Sequence, residues 1–138
     1  MAGPHWEIEY SDEFRAAQKK YKKTIDGHVV FSANSVDFKR RRNHEEAIDK
    51  RDAFSSFLED LKRHGEKHRD PNTLPPARDE DKEEITGFYC FQRDGWCAYL
   101  YRDDSDEKHK CTRAILLISE SDRPINLRAA LRHARNLE

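Results

Sequence analysis

The chain opens on a strict alternation of apolar and acidic positions. Residues 6–10 read Trp-Glu-Ile-Glu-Tyr. A period of two is typical of a strand that is buried on one face only, because successive side chains of a strand point to opposite faces. We therefore expect a first strand here, with its aromatic side turned towards the core.

A first helix is predicted directly after this strand. Ser11 or Asp12 can cap its N-terminus, and Gly27 belongs to the residue type that most often follows the last helical turn. Beyond Gly27 the pattern is ambiguous. Residues 29–31 (Val-Val-Phe) suggest a short strand, which a run of small polar residues then interrupts. The sequence thus predicts a helix that ends near residue 27.

The pattern of a second, longer helix is clearer. Asn43 followed three residues later by Glu46 resembles a capping box, and an apolar stripe then continues until Gly65 ends the helix. The basic run at residues 39–42 lies just before this helix. Such a run is most often a solvated face, and we interpret it so.

A β-hairpin is predicted where two aromatic runs, at residues 88–91 and 96–101, flank the Asp-Gly dipeptide at 94–95. Asp-Gly favours a two-residue turn, because both turn positions need positive φ. This turn would place Cys90 opposite Tyr99. Both faces of the hairpin are apolar, so we expect it at the centre of the fold, covered on both sides. One face carries Phe88, Cys90, Cys97, Tyr99 and Tyr101, and the other carries Tyr89, Phe91, Trp96, Ala98 and Leu100.

The remaining pattern predicts a third strand and a last helix. Residues 103–110 are charged and indicate a loop, whereas residues 114–118 (Ala-Ile-Leu-Leu-Ile) are typical of a buried strand. Ser121 or Asp122 can cap the last helix, whose apolar stripe lies within residues 127–137. The outer surface of this helix is predicted to be basic, through Arg128, Arg132, His133 and Arg135.

Together these elements predict a single α+β domain over residues 1–138. Its antiparallel sheet of three to four strands would be packed by an N-terminal helix, a long middle helix and a C-terminal helix. A chain of 138 residues is long enough for one hydrophobic core. Residues 66–82 contain three prolines among charged residues and have no period, so we expect a flexible surface loop there.

Charge narrows the class of function. Charged residues make up 38% of the chain, yet the 26 basic and 27 acidic side chains leave a net charge of −1. Proteins that bind nucleic acid through nonspecific phosphate contacts usually have a basic excess, so an RNA-binding surface here must be a local patch. No apolar run reaches the roughly 20 residues of a membrane helix. Because the N-terminus lacks a secretion signal and the cysteines are odd in number, we expect a cytoplasmic protein without a membrane partner.

Three cysteines and one histidine are the candidates for a metal site: Cys90, Cys97, Cys111 and His109. Structural zinc sites usually contain close cysteine pairs, none of which occurs here, and free cysteine is among the most buried residue types. We therefore expect no metal and no cofactor. A disulfide is expected even less than a metal site, because the compartment is reducing. A zinc-stabilised adaptor stays open as an alternative if the cysteines converge.

A group of cationic and aromatic residues offers a different chemistry. Metal-free cleavage of RNA needs a base for the 2′-hydroxyl, an acid for the leaving oxygen and cations for the phosphorane charge. Exposed rings can also stack on unpaired bases. The alternative is that these residues form an ordinary solvated edge of the sheet. The candidate catalytic residues are Arg102, His109, Lys110 and Arg113, and the candidate RNA-binding residues are Arg93, Tyr101, Arg132 and His133.

Three stretches resemble the RelE/HigB class of toxin ribonucleases. Residues 6–14 (Trp-Glu-Ile-Glu-Tyr-Ser-Asp-Glu-Phe), which run into a lysine-rich helix, resemble the first strand and helix of that family. Residues 88–91 (Phe-Tyr-Cys-Phe) and 99–102 (Tyr-Leu-Tyr-Arg) are similar to its central hairpin. Pro124 followed by a basic helix is similar to the closing segment of its HigB-like branch.

The resemblance implies a metal-independent endoribonuclease toxin that cleaves mRNA, usually on the ribosome, and that a small antitoxin neutralises. It carries over one catalytic residue, Arg102, at the end of the matching strand. His109, Lys110 and Arg113 are candidates by chemistry alone. The alternative function is a non-enzymatic protein-binding module, such as an immunity or antitoxin-like protein, that docks a partner through its charged surface. The near-neutral net charge favours this alternative.

Overall fold

In the computed structural model the described residues form an α+β fold of three α-helices and a five-stranded mixed sheet. The structure describes residues 6–33, 38–66, 74–106 and 109–137, with the backbone alone at residues 6, 38–42, 64–66, 104–106, 109 and 110. In chain order the elements are β1 (Trp6–Tyr10), α1 (Asp12–Ala33), α2 (Phe38–Glu66), β2 (Pro76–Arg78), β3 (Glu84–Arg93), β4 (Trp96–Asp106), β5 (His109–Ser119), a short 3-10 helix (Glu120–Asp122) and α3 (Leu127–Asn136).

The sheet has the strand order β1-β5-β4-β3-β2, in which β1 runs parallel to β5 and the other pairs are antiparallel. The prediction of a purely antiparallel sheet of three to four strands is therefore wrong. The direction of β1 depends on where the chain returns after two intervening helices, which no local pattern encodes. β2 is a strand that the sequence did not predict. It lies inside the segment 66–82 that we expected to be a loop, and residues 67–73 of that segment lie outside the described part.

The strand β2 escaped detection because three residues are too few to show a period. Its first residue, Pro76, cannot donate a backbone hydrogen bond, and proline is tolerated in sheets at such edge positions. The loop prediction therefore fails at this edge because backbone pairing with β3 does not require an apolar pattern.

The central hairpin is confirmed. Asp94 and Gly95 both have positive φ, at 51° and 84°, and the strands pair Cys90 with Tyr99 as predicted. β4 lies in the middle of the sheet between β3 and β5. Because an L-residue with a side chain is strained in this left-handed region, glycine is the natural occupant of position 95.

Two apolar clusters lie on the two faces of the sheet, and the predicted division of the hairpin residues between them is also confirmed. The first cluster includes residues of α1 and α2, and the second includes residues of α3. The hairpin contributes Phe91, Trp96, Ala98 and Leu100 to the first cluster, and Phe88, Cys97 and Tyr99 to the second.

A bulge in β5 adjusts the third predicted strand to this two-sided packing. Ala114 pairs with Leu100 and Leu116 pairs with Tyr99, so Ile115 is an extra residue in the ladder. Ile115 and Leu116 consequently belong to the same cluster, which strict alternation would not allow. The sequence predicted the strand correctly but contained no signal for the bulge.

The helix α1 continues past Gly27 to Ala33, so the predicted helix end and the short strand at 29–31 are both wrong. Packing against α2 explains the continuation. Ser32 is buried, and its Oγ lies 2.8 Å from Nδ1 of His44 in α2. Such contacts offset the roughly 1 kcal/mol that a glycine inside a helix costs.

The helix α2 begins at Phe38, before the predicted capping box at Asn43. The basic run at residues 39–42 therefore belongs to its first turns. Lysine and arginine are good helix formers, so a capping signal inside such a run does not have to start the helix. The opposite end agrees with the prediction to within one residue, since α2 ends at Glu66 beside Gly65.

Two further boundaries differ from the prediction. The segment 103–110 is mostly strand, because β4 extends to Asp106 and β5 begins at His109, with residues 107 and 108 outside the described part. The cap of α3 is Asn126, whose side chain accepts a hydrogen bond from the backbone N–H of Ala129, instead of Ser121 or Asp122. The segment 103–110 was predicted to be a loop because its residues are charged, although its backbone is paired in the sheet. The cap of α3 was misplaced because several residues before the helix are of cap-forming types.

Candidate functional site

A group of charged and aromatic side chains lies on the α3 side of the sheet, where β4, β5 and β1 run side by side. Tyr101 of β4 pairs with Arg113 of β5, and Arg113 pairs with Glu9 of β1. Side chains at paired positions point to the same face of a sheet. The three residues therefore form one row across three strands, and we call them, together with Asp103, the Arg113 row.

Arg113 is the centre of this row. Its Nε lies 3.2 Å from Oδ2 of Asp103, and its Nη1 lies 3.3 Å from Oε2 of Glu9. The side chain of Arg113 is 33% exposed and that of Glu9 is 45% exposed, so the pairs sit at the surface, in partial contact with water. Burial acts to lower the pKa of Arg113, but Tyr101, Glu9 and Asp103 together raise it, and the guanidinium stays charged.

The helix α3 brings a second cation to the same row. The guanidinium carbon of Arg135 lies 4.8 Å from the ring centroid of Tyr101 and 5.9 Å from that of Phe88. These distances are typical of cation–π contacts. The ring of Tyr101 is half-buried and also meets Phe88 edge-on, at 6.5 Å between centroids. As the structure stands, Arg135 occupies one side of the ring on which an RNA base was expected to stack.

The two other candidate residues of α3 are open to solvent. Arg132 and His133 are both exposed, whereas Leu127, Leu131 and Ala134 of the same helix are buried in the second cluster. The basic surface predicted for α3 therefore extends from the Arg113 row, through Arg135, to this exposed side of the helix.

Arg102 does not belong to the Arg113 row. It follows Tyr101 directly in β4, and successive side chains of a strand point to opposite faces. Its partner position in β5 is Thr112, next to Arg113 but on the other face. The structure therefore separates the residue carried over from the family resemblance from Tyr101 and Arg113.

Arg93 lies far from the row. It pairs with Trp96 at the hairpin end of the sheet, and Trp96 lies five positions before Tyr101 along β4, a distance of about 17 Å at the usual rise of a strand. Its guanidinium pairs with Asp60 of α2 and lies 3.6 Å from Asp94. Arg93 therefore links the hairpin to α2, and it does not converge with the other candidates.

His109 and Lys110 begin β5, and their side chains lie outside the described residues. Their predicted catalytic roles stay predictions. The backbone of Lys110 pairs with Trp6, the first residue of β1, and it lies three positions before Arg113 along β5.

Sequence reasoning missed three residues of the site: Glu9, Asp103 and Arg135. Glu9 was recognised only as an outward-facing position of β1, because its contact with Arg113 requires the parallel pairing of β1 with β5. Asp103 was placed in a loop. Arg135 was read as part of the outer basic surface of α3, although its position one residue after the buried Ala134 could have suggested contact with the sheet.

The cysteines divide into a pair and a single residue. Cys90 and Cys97 lie on the same face of the hairpin, as predicted, whereas Cys111 is buried opposite Asp103. Among the residues that the structure describes, no group of three or more His, Cys, Asp and Glu side chains could hold a metal ion.

Comparisons with known proteins do not extend this description. No family model matches the chain, no curated protein matches it, and no solved structure matches it. No helix in the described ranges is both long enough and apolar enough to cross a membrane.

Proposed function

We propose that this chain is a metal-independent endoribonuclease toxin that cleaves mRNA, and that the reaction takes place at the Arg113 row. The observation that carries the proposal is the convergence of a carboxylate, a guanidinium and a phenol on three adjacent strands, beside a second guanidinium from α3. These are the group types that metal-free RNA cleavage requires.

The ion pairs suggest how the site would engage RNA. A phosphate oxygen of the substrate would replace Glu9 at the Arg113 guanidinium, because phosphate accepts the same forked hydrogen bonds as a carboxylate. The released Glu9 carboxylate would then lie next to the bound phosphate and could accept the proton of the 2′-hydroxyl. Asp103 would keep the guanidinium in place through its contact with Nε.

The remaining steps follow from the chemistry of RNA. The deprotonated 2′-oxygen attacks phosphorus, and Arg113 and Arg135 would stabilise the negative charge of the phosphorane. Protonation of the departing 5′-oxygen would leave a 2′,3′-cyclic phosphate. We assign this proton donor to His109, on its chemistry alone. The exposed Arg132 and His133 would contact the RNA backbone on the near side of α3.

The biological setting comes from the resemblance to RelE/HigB toxins. We propose that the substrate is mRNA, bound on the ribosome or free, and that a small antitoxin protein inhibits the enzyme. The resemblance covers the opening strand and helix, the hairpin and the closing basic helix. It assigns Arg102 a catalytic role on the face opposite the Arg113 row, so the two assignments can be separated by mutation.

A second function is favoured by a specific observation. Arg113 is neutralised by two carboxylates, Arg93 is paired with Asp60, and the net charge of the chain is −1. Cations that are already paired bind phosphate less strongly than free ones. These pairs support a non-enzymatic protein-binding module, such as an immunity or antitoxin-like protein, whose charged surface docks a partner.

A growth assay distinguishes the two functions. We expect induced expression of the chain to arrest growth of a bacterial host, and Arg113→Gln to relieve the arrest. Arg102→Ala is tested beside it to separate the two faces of the sheet. The control is Arg51→Ala, which removes a surface contact of 3.7 Å with Asp52 on α2 and should leave the arrest unchanged.

Each pattern of growth has a distinct meaning, provided that all variants accumulate to the same level. Relief by Arg113→Gln alone supports the Arg113 row. Relief by Arg102→Ala alone keeps the toxin function but moves the reaction to the opposite face. Normal growth of cells that express the unmodified chain at high level would reject the toxin function in favour of the binding module.

A further inference from the structure

A pair of thiols lies on the α3 side of the central hairpin, apart from the Arg113 row. Cys90 is paired with Tyr99, and Cys97 is paired with Gln92, so the two cysteines are diagonal neighbours across β3 and β4. Diagonal neighbours on one face of an antiparallel ladder lie about 7–8 Å apart, and their Cβ atoms lie somewhat closer. Each thiol shifts the pKa of the other, so the two side chains lie close together.

The pair is accessible from one side. Cys90 is half-buried and lines a cavity of about 340 Å³ together with Gln92, Tyr99 and Arg123. Cys97 belongs to the second cluster and is buried. A small polar molecule that enters the cavity would meet Cys90 and Arg123, so one member of the pair is open to the cavity.

The two thiols shift each other's pKa in opposite directions. The hydrogen bond from Cys90 lowers the pKa of Cys97, against the opposing effects of burial and of Glu120, and Arg123 lowers it further. The same hydrogen bond, together with burial, raises the pKa of Cys90. One thiolate that is stabilised by its neighbour is the arrangement in which the first sulfur reacts and the second completes a disulfide.

We propose that Cys90 and Cys97 form a reversible oxidation site, at which hydrogen peroxide converts the two thiols into a disulfide across the β3–β4 ladder. One cysteine of the pair, as its thiolate, attacks one peroxide oxygen, the O–O bond breaks, and the departing hydroxide takes up a proton to leave as water. That cysteine is then a sulfenic acid. The sulfur of the other cysteine attacks the oxidised sulfur, the S–O bond breaks, and the hydroxide leaves with the proton of the attacking thiol as a second water.

Cys111 provides a matched control within the chain. It is 3% exposed, and burial, with a smaller effect of Glu9, raises its pKa to about 12. Cys97 is paired with Ile118 of β5, and Cys111 lies seven positions before Ile118, about 20 Å away along the strand. Cys111 therefore cannot reach either member of the pair without unfolding.

The experiment treats the native protein with hydrogen peroxide and measures the intact mass and the cross-linked peptides. We expect the unmodified chain and Cys111→Ser to lose two hydrogen atoms, to yield a Cys90–Cys97 peptide, and to recover fully with dithiothreitol. Cys90→Ser and Cys97→Ser should form no internal disulfide and should instead gain oxygen at the remaining cysteine of the pair.

The peptide map of the unmodified chain decides the question even if a serine variant does not fold. The proposal would be overturned by any of three results. These are three free thiols after a treatment that oxidises a reference dithiol, a cross-link that includes Cys111, and a disulfide between two molecules. None of these outcomes depends on ribonuclease activity, because the thiol pair and the Arg113 row share no residue.

Discussion

Replacing Gly27 by alanine tests whether α1 is one continuous helix. Sequence patterns predict that the first helix ends at this residue, whereas in the structure α1 continues for six residues beyond it to Ala33. The two views differ in the backbone conformation of Gly27. A glycine that ends a helix usually has positive φ, but Gly27 is not among the residues with positive φ.

The structure sets the sign and size of the effect. Gly27 is exposed, and a Cβ added there meets no other atom within 4 Å. Alanine therefore introduces no clash and removes the flexibility that glycine gives the unfolded chain, so we expect stabilisation by about 0.5–1 kcal/mol. For a domain of this size that corresponds to a rise in Tm of roughly 2–4 °C.

The assay is thermal and urea unfolding followed by circular dichroism. Gly95→Ala is the matched control: Gly95 has a φ of +84° in the hairpin turn, and alanine there should cost about 1–2 kcal/mol. A fall in stability of Gly27→Ala comparable to that of Gly95→Ala would refute the reasoning, because it would mean that the helix ends at Gly27 in a left-handed conformation.

Two other predictions concern the core and the turn that supports α3. Phe57 is 0% exposed, and its ring lies 5.3 Å from that of Phe91, so Phe57→Ala should lower the free energy of unfolding by about 3–5 kcal/mol. Phe31→Ala replaces a ring that is 66% exposed and should lower it by less than about 1 kcal/mol. Equal losses of the two variants in urea unfolding would contradict this packing. A backbone hydrogen bond from Glu83, with help from Arg128, lowers the pKa of Asp79 against the effect of burial. The folded-state pKa of Asp79 is thus below the unfolded value, so the ionised carboxylate stabilises the fold above about pH 4, and this contribution is lost as the pH falls below that value. The free energy of unfolding in urea, measured from pH 3 to 7, should depend less on pH in Asp79→Asn than in the unmodified chain. Identical pH curves would show that Asp79 does not cause the pH dependence.

Local patterns were sufficient for the centre of the fold. The alternation in β3 and β4, together with the Asp-Gly turn, determined the pairing of Cys90 with Tyr99 and the division of the hairpin residues between two faces. These features depend on residues that are close in sequence. The end of α1 was wrong for the opposite reason, since Ser32 is held by His44 of another helix.

The candidate site shows the same limit more strongly. Tyr101 and Arg113 were both selected by their chemistry, and the antiparallel pairing of β4 and β5 brings them together. Glu9 could not be joined to them, because its contact depends on the parallel pairing of two strands that are separated by most of the chain. Arg102 was selected together with Tyr101, its neighbour in sequence. Adjacent residues of a strand point to opposite faces of the sheet, so the two side chains cannot belong to one site.

Cleavage of a single-stranded RNA by the purified chain in the presence of EDTA tests the central claim most directly. We predict fragments that end in a 2′,3′-cyclic phosphate, a rate that falls roughly 100-fold or more in Arg113→Gln, and an unchanged rate in Arg51→Ala. Intact RNA after prolonged incubation with folded protein, or equal cleavage by Arg113→Gln and the unmodified chain, would contradict a reaction at the Arg113 row.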